Sequence, residues 1–166
     1  MITIFTPTYN RGYIIEKLYL SLCNQTSNEF EWLVVDDGST DNTRDLIERF
    51  IADNKINIRY IYKENGGKHT AINLGVKNAN GELFFIVDSD DYLTPDAVEW
   101  IITNSRDIIF NDKFAGLSGL RINPDGSKIG GGDDFGTIDA DALEIRSKYK
   151  VSGDLAEIYK THILKL

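Results

Sequence analysis

Two stretches of this chain place carboxylates where an apolar run stops. Trp32-Leu33-Val34-Val35 leads straight into Asp36-Asp37-Gly38-Ser39-Thr40-Asp41, and Leu83-Phe84-Phe85-Ile86-Val87 into Asp88-Ser89-Asp90-Asp91. A run that is apolar at every position suits a central parallel strand covered on both faces, and open α/β sheets bind ligands beyond the carboxyl ends of such strands. Asp88 and Asp90 are two residues apart, so they point the same way if the extended geometry continues. Two carboxylates about 4 Å apart repel by about 4 kcal/mol at an effective dielectric near ~20. A divalent cation between them, holding an anionic ligand, relieves that repulsion. An acid cluster closing an apolar strand has little structural use otherwise.

The elements that must position these acids follow from hydrophobic periodicity. Ile2-Thr3-Ile4-Phe5-Thr6 reads as a first strand, ended by Pro7, which has no N–H for the ladder. Ile14, Ile15, Leu18, Tyr19 and Leu22 recur at helical spacing as far as Asn24. After the second strand, Ser39, Thr40 and Asp41 are cap residues for a helix whose buried stripe is Leu46, Ile47, Phe50 and Ile51. Ile56, Ile58, Tyr60 and Tyr62 mark a third strand, and Glu64-Asn65-Gly66-Gly67 a turn. A helix packed through small residues (Ala71, Ile72, Gly75, Val76, Ala79) leads to the strand that ends at Asp88. Thr94 caps, and Pro95 opens, a helix running to about Arg106. Strand and helix alternate throughout, which predicts an α/β fold with a Rossmann-like, mostly parallel sheet flanked by helices.

The second half is less regular. It predicts a strand over Ala115–Ile122, a turn at Asn123-Pro124-Asp125-Gly126 and a mobile loop at Gly130-Gly131-Gly132-Asp133-Asp134. A helix over Asp141–Tyr149 and a last strand at Glu157-Ile158-Tyr159-Lys160 follow. Thr161 would cap a helix cut off at Leu166, so the natural protein is expected to continue.

Composition narrows the classes. The chain has 166 residues, 42% hydrophobic and 27% charged, which suits one soluble domain. A formal charge of -8 argues against nucleic acid as a partner, because phosphate backbones are bound through clustered Lys and Arg. No apolar run reaches membrane-spanning length and no secretory signal is visible, so a cytoplasmic location is expected. Cys23 is the only cysteine, which excludes an internal disulfide and a cysteine-based zinc site, and its apolar neighbours predict a core thiol.

Several ligand-binding motifs fail on their spacing. Asp88, Asp90 and Glu99 fall at the first, third and twelfth places of a calcium loop, but the fifth and sixth places hold Tyr92 and Leu93 instead of an oxygen ligand and glycine. A phosphate-binding loop ending at Gly67-Lys68 would need its first glycine at Tyr62, and His69 separates Lys68 from Thr70. No dinucleotide glycine fingerprint and no G-x-S-x-G is present, and no nucleophile-triad motif places His69 or His162.

What remains is Thr6-Pro7-Thr8-Tyr9-Asn10-Arg11, Val35-Asp36-Asp37-Gly38-Ser39-Thr40-Asp41, Asn65-Gly66-Gly67 with Asn73-Leu74-Gly75, and Gly81-Glu82 leading to Asp88-Ser89-Asp90-Asp91. Together these blocks resemble the family 2 glycosyltransferases, inverting nucleotide-sugar enzymes with the GT-A fold, over residues 1–105 strongly and the rest weakly. The resemblance implies one GT-A domain over 1–166, with a donor-binding half at 1–105 and a partial acceptor half at 106–166. It implies a nucleotide-sugar donor, with a UDP-sugar favoured, a glycan, lipid-linked or other hydroxyl acceptor, and Mg2+ or Mn2+.

Residue roles follow from the same likeness. Pro7 and Tyr9 would form the shelf under the base, and Asp37 would accept the imide N–H of uracil while Asp36 orders the turn. Asp88 would lie near ribose and metal, Asp90 would ligate the metal, and Arg11 and Lys68 would face the phosphates. Taken alone, Tyr9 reads better as packing on the first helix, and Asp41 as a cap. The catalytic base is expected beyond Leu166, and Asp154 matches a position on the acceptor side. Two rivals stand beside this reading: a nucleotide- and metal-binding fragment without turnover, and a sugar-phosphate nucleotidyltransferase. The second needs a glycine-rich basic loop after the first strand, where Thr8 to Gly12 is short and carries only Arg11.

Overall fold

The computed structural model describes residues 1–131 and 136–165, so Gly132, Asp133 and Asp134 of the expected mobile loop lie outside the described residues. The elements are β1 (Ile2–Thr8), α1 (Glu16–Cys23), β2 (Phe30–Asp36), α2 (Thr43–Asp53), β3 (Ile58–Tyr62), α3 (Lys68–Asn78), β4 (Leu83–Ile86), α4 (Ala97–Ile109), β5 (Gly116–Leu120), α5 (Ala142–Ser147), β6 (Leu155–Lys160) and α6 (Thr161–Leu164). The six-stranded sheet has the order β3-β2-β1-β4-β6-β5. β1 pairs in parallel with β2 and β4, β2 with β3, and β6 runs antiparallel to β4. The expected mostly parallel sheet flanked by helices is therefore present. Met1–Leu117 with Ile158–Leu166 form one compact unit, and Ser118–Glu157 form a second.

In the first unit, β1 and β2 are buried at every residue because helices cover both sheet faces. On one face Trp32 meets Tyr19 and Phe50 at ring separations of 6.2 and 6.5 Å, and Tyr19 stacks on Phe50 at 3.9 Å. The Trp32 indole N–H donates to the Thr6 hydroxyl at 2.9 Å, so the buried ring leaves no polar atom unpaired. On the other face Phe5 stacks on Phe84 at 5.0 Å among Leu33, Val35, Ala71, Val76 and Ala79. α3 approaches so closely here that a Cβ added at Gly75 would stand 2.2 Å from the Phe5 ring. Gly75→Ala should therefore cost about 1–3 kcal/mol, read as a lower urea midpoint at unchanged slope, despite alanine's better helix propensity.

Pro7 does not end the first strand, which runs to Thr8. Ile2 N donates to Glu29 O and Thr8 O accepts from Asp37 N, whereas Phe5 O accepts from Val87 N. Even-numbered residues of β1 thus bond toward β2 and odd-numbered ones toward β4. The β4 ladder stops at the Phe5–Ile86 pair, so the nitrogen of Pro7 faces a side with no partner strand and no bond is lost.

α4 starts at Ala97, two residues after Pro95. A turn closed by Ala97 N to Thr94 O at 3.1 Å precedes it, and the cap comes from buried Gln25, whose amide oxygen accepts from Val98 N at 3.0 Å. Cys23 is only half-buried, short of the core position expected.

The second unit carries a turn in which Gly126 N donates to Asn123 O at 2.9 Å, with Ile122 bridged to Lys128. Asp141 caps α5 by accepting from the N–H groups of Leu143 and Glu144, both at 2.8 Å. No helix among the described residues is long and apolar enough to cross a membrane.

Candidate functional site at the carboxyl ends of the parallel strands

β2 and β3 extend to one side of β1 and β4 lies on the other, so strand order reverses between β1 and β4. That switch opens the crevice in which doubly wound sheets bind ligands. The loops after β1 and β2 are fastened together on one side of it. Asn10, at φ 51, accepts on Oδ1 from Thr40 N at 2.8 Å and Asp41 N at 3.3 Å, and its own N–H donates to Ser39 Oγ at 2.8 Å. Asp41 accepts from Gly12 N at 3.0 Å and from the N–H and hydroxyl of Thr43, which fixes the start of α2. Burial alone would raise the Asp41 carboxyl, but these donors hold it below the usual range.

Asp36 ends β2 fully buried. Its oxygens accept from Ser39 N at 2.8 Å and the Tyr60 hydroxyl at 2.7 Å, which ties the turn to β3. Burial first and the Asp36 carboxylate second push the Tyr60 hydroxyl far above the usual phenol range.

Asp37 is 4% exposed and organises the next loop. Oδ1 accepts from Lys63 Nζ and from Gly66 N at 3.0 Å, and Oδ2 accepts from Gly67 N at 2.7 Å. Asn65 Nδ2 donates to the Asp37 carbonyl at 2.8 Å. Burial would raise this carboxyl too, but the Lys63 ammonium and the two N–H groups outweigh it and hold it below the usual range. Asp37 is therefore ionised at neutral pH, with one acceptor direction left on Oδ2. Gly38, at φ +87, lets the loops meet, since a Cβ there would lie 2.8 Å from Asn65 N.

β4 is four residues long, and the extended geometry expected to carry Asp88 and Asp90 onto one side does not continue. Asp91 N donates to Asp88 O at 3.0 Å, closing a turn. Lys68, the first residue of α3, reaches both oxygens of Asp88, at 2.7 and 2.9 Å. Asp90 is exposed and has no hydrogen bond or ion pair among the described residues. No group of three or more His, Cys, Asp or Glu is gathered as for a metal among those residues. The hard carboxylate oxygens of Asp90 and Asp88 nevertheless suit Mg2+ or Mn2+, which bind through one or two carboxylates and complete their shells with phosphate and water.

Tyr9 is 48% exposed and Pro7 is buried. The Arg11 guanidinium turns to Tyr13, donating to its hydroxyl at 2.7 Å. Asp154 belongs to the second unit, where its 86% exposed side chain stands 4.0 Å from the Arg121 guanidinium.

Lys63 escaped sequence reasoning, although a cation beside a Gly-Gly turn opposite a strand-end acid was a usable signal, and Asn10 stood in a motif block without a role of its own. The Thr8 hydroxyl was missed as well. It is buried and has no partner among the described residues, at the end of β1. An orphaned buried hydroxyl at the rim of a crevice calls for a ligand or a water.

A parallel sheet with interlocked loops over a strand-order switch places the molecule among ligand-binding α/β domains. The chain belongs to glycosyl transferase family 2, whose sequence pattern matches residues 3–108. It is 36% identical over 134 residues to the chondroitin synthase of Pasteurella multocida, an overlap covering 80% of this chain and 14% of that protein. It is 44% identical over 101 residues to an uncharacterised glycosyltransferase of Mycoplasma pneumoniae, covering 58% and 34%. Residues 1–349 of S. aureus TarS in complex with UDP-GlcNAc superpose with a TM-score of 0.72 at 25% identity, over 99% of this chain and 46% of that one. A mannosyltransferase from Pyrobaculum calidifontis in complex with GDP-Man and Mn2+ gives 0.71 at 20% identity, over 99% and 45%. The fold is GT-A, and the chain spans about a third or less of these curated relatives.

Proposed function

We propose that this chain is the donor-binding part of a glycosyltransferase that moves a sugar from a nucleotide-sugar, foremost a UDP-sugar, to a hydroxyl acceptor with inversion. The observation that carries the reading is the set of interlocked loops at the strand-order switch, which hold an ionised, buried Asp37 and, nearby in the same fold, an exposed Asp90 carboxylate with no partner among the described residues. The free acceptor direction on Asp37 Oδ2 suits the imide N–H of uracil. Exposed Tyr9 offers its ring to the base over Pro7, and the orphaned Thr8 hydroxyl offers a further polar contact. Arg11 and Lys68 supply positive charge toward the diphosphate. Asp90 with Asp88 would hold Mg2+ or Mn2+, which supplies charge neutralisation on the departing nucleoside diphosphate. An acceptor-side carboxylate takes the acceptor hydroxyl's proton, and no residue of this chain is assigned that role. Asp154 belongs to the acceptor side.

The TarS complex with UDP-GlcNAc supports a UDP-sugar, and relatives that include a chondroitin synthase support a product that is a polysaccharide or other glycoconjugate. Binding of nucleotide and metal without turnover is the second reading, since no residue of this chain is assigned the part of the base. Calorimetry with UDP, GDP and CDP, each with and without Mn2+, tests the donor site. UDP is expected to bind, and more tightly with Mn2+. Tight binding indifferent to Mn2+, or no binding of any nucleotide, overturns the proposal. Donor hydrolysis by the same protein excludes the second reading.

A further inference from the structure

The pairing of Lys68 with Asp88 sets two proposed ligand groups against each other, since a carboxylate assigned to a metal is held at both oxygens by a cation assigned to phosphate. We propose that Lys68 is a positioning residue that exchanges partners, leaving Asp88 for the diphosphate when the donor binds and freeing Asp88 for the cation. This rests on the nucleotide-sugar reading of the site.

The local architecture fits an exchange. Asp37 anchors the backbone just before Lys68 through Gly66 N and Gly67 N, and the first turn of α3 closes through Thr70 N to Gly67 O at 2.9 Å. The Lys68 side chain, by contrast, is 57% exposed, and its flexible stem lets the ammonium swing while its root stays put. An ammonium and a divalent cation on one carboxylate repel each other, so Lys68 opposes the metal when no nucleotide is present. A diphosphate carries more negative charge than one carboxylate and draws the ammonium off. Lys68 therefore weakens metal binding alone, strengthens nucleotide binding, and makes each ligand promote the other. A surface ion pair with no further role would leave both affinities nearly unchanged when broken.

The test is calorimetry of Mn2+ alone, UDP alone, and UDP at saturating Mn2+, on the native protein and on Lys68→Met, Lys68→Arg and Asp88→Asn. In Lys68→Met, Mn2+ alone should bind about fivefold more tightly while UDP with Mn2+ binds at least about fivefold more weakly. Lys68→Arg should restore the native pattern. In Asp88→Asn the ammonium has lost its carboxylate, so UDP without metal should bind more tightly than to the native protein. Shifts in one direction for both ligands in Lys68→Met, or no shift in either, overturn the exchange even where the native protein binds UDP and Mn2+ as expected. A native protein that binds neither overturns the donor reading along with it.

Discussion

Asp90→Ala is expected to remove the Mn2+-dependent strengthening of UDP binding, a loss of about 3 kcal/mol or roughly 100-fold. The unfolding midpoint should not move. Both expectations come from the same fact, that Asp90 is exposed and unpartnered among the described residues, so alanine takes nothing from the fold. Asp37 is the opposite case. Its carboxylate holds Lys63, Gly66 and Gly67, so removing it would disturb the loop as well as any ligand contact. Asp90 is thus the cleaner probe. Calorimetry with UDP and Mn2+ and a parallel urea titration separate the two effects, and undiminished Mn2+-dependent binding in the variant would show that the metal is held elsewhere.

Glu31→Ala is expected to destabilise the protein by about 3–5 kcal/mol, enough to threaten folding in a domain of ordinary stability. Glu31 is completely buried in β2, at the end of the sheet away from the crevice. Its carboxylate accepts from the Thr3 hydroxyl at 2.6 Å, Arg59 at 2.9 Å, and Asn80 N and Nδ2 at 2.8 and 3.0 Å. Alanine leaves the buried Thr3 hydroxyl without its acceptor and takes from Arg59 and Asn80 the carboxylate they share. Glu31→Gln keeps the shape and part of the bonding, so its cost should be smaller.

The pH dependence follows from the same contacts. Burial would raise the Glu31 carboxyl, but Thr3, Asn80 and Arg59 together hold it below the usual range. A carboxyl lowered by folding contributes stability above its unfolded value, about 4.3, and loses it as pH falls from there through the lower folded value. Urea midpoints measured from pH 6 down to about 3 should fall less steeply for Glu31→Gln than for the native protein. Parallel curves would mean that Glu31 carries no share of the acid limb.

Glu31 also shows where sequence reading stopped. Glu31 stands just ahead of the apolar run Trp32-Leu33-Val34-Val35, yet β2 begins at Phe30 and buries it. Its partners stand 28 and 49 residues away, too far for local pattern to join them. Lys63 and its partner Asp37 are likewise 26 residues apart in sequence.

The sequence by itself determined the alternation of strands and helices, the parallel sheet, and the acids at its carboxyl ends. Burial on one or both faces writes its period directly into neighbouring residues, and the family's blocks lie at strand ends where composition changes sharply. Only the tertiary structure decided what each acid does. Pro7 remains inside β1 because strand order leaves its nitrogen side unpaired. Asp88 and Asp90 differ in their partners because Lys68 arrives from another loop to hold Asp88, while Asp90 has none among the described residues. Strand ends are set by local pattern, but the pairing of charges across loops depends on which strands become neighbours, and that is settled only when the sheet assembles.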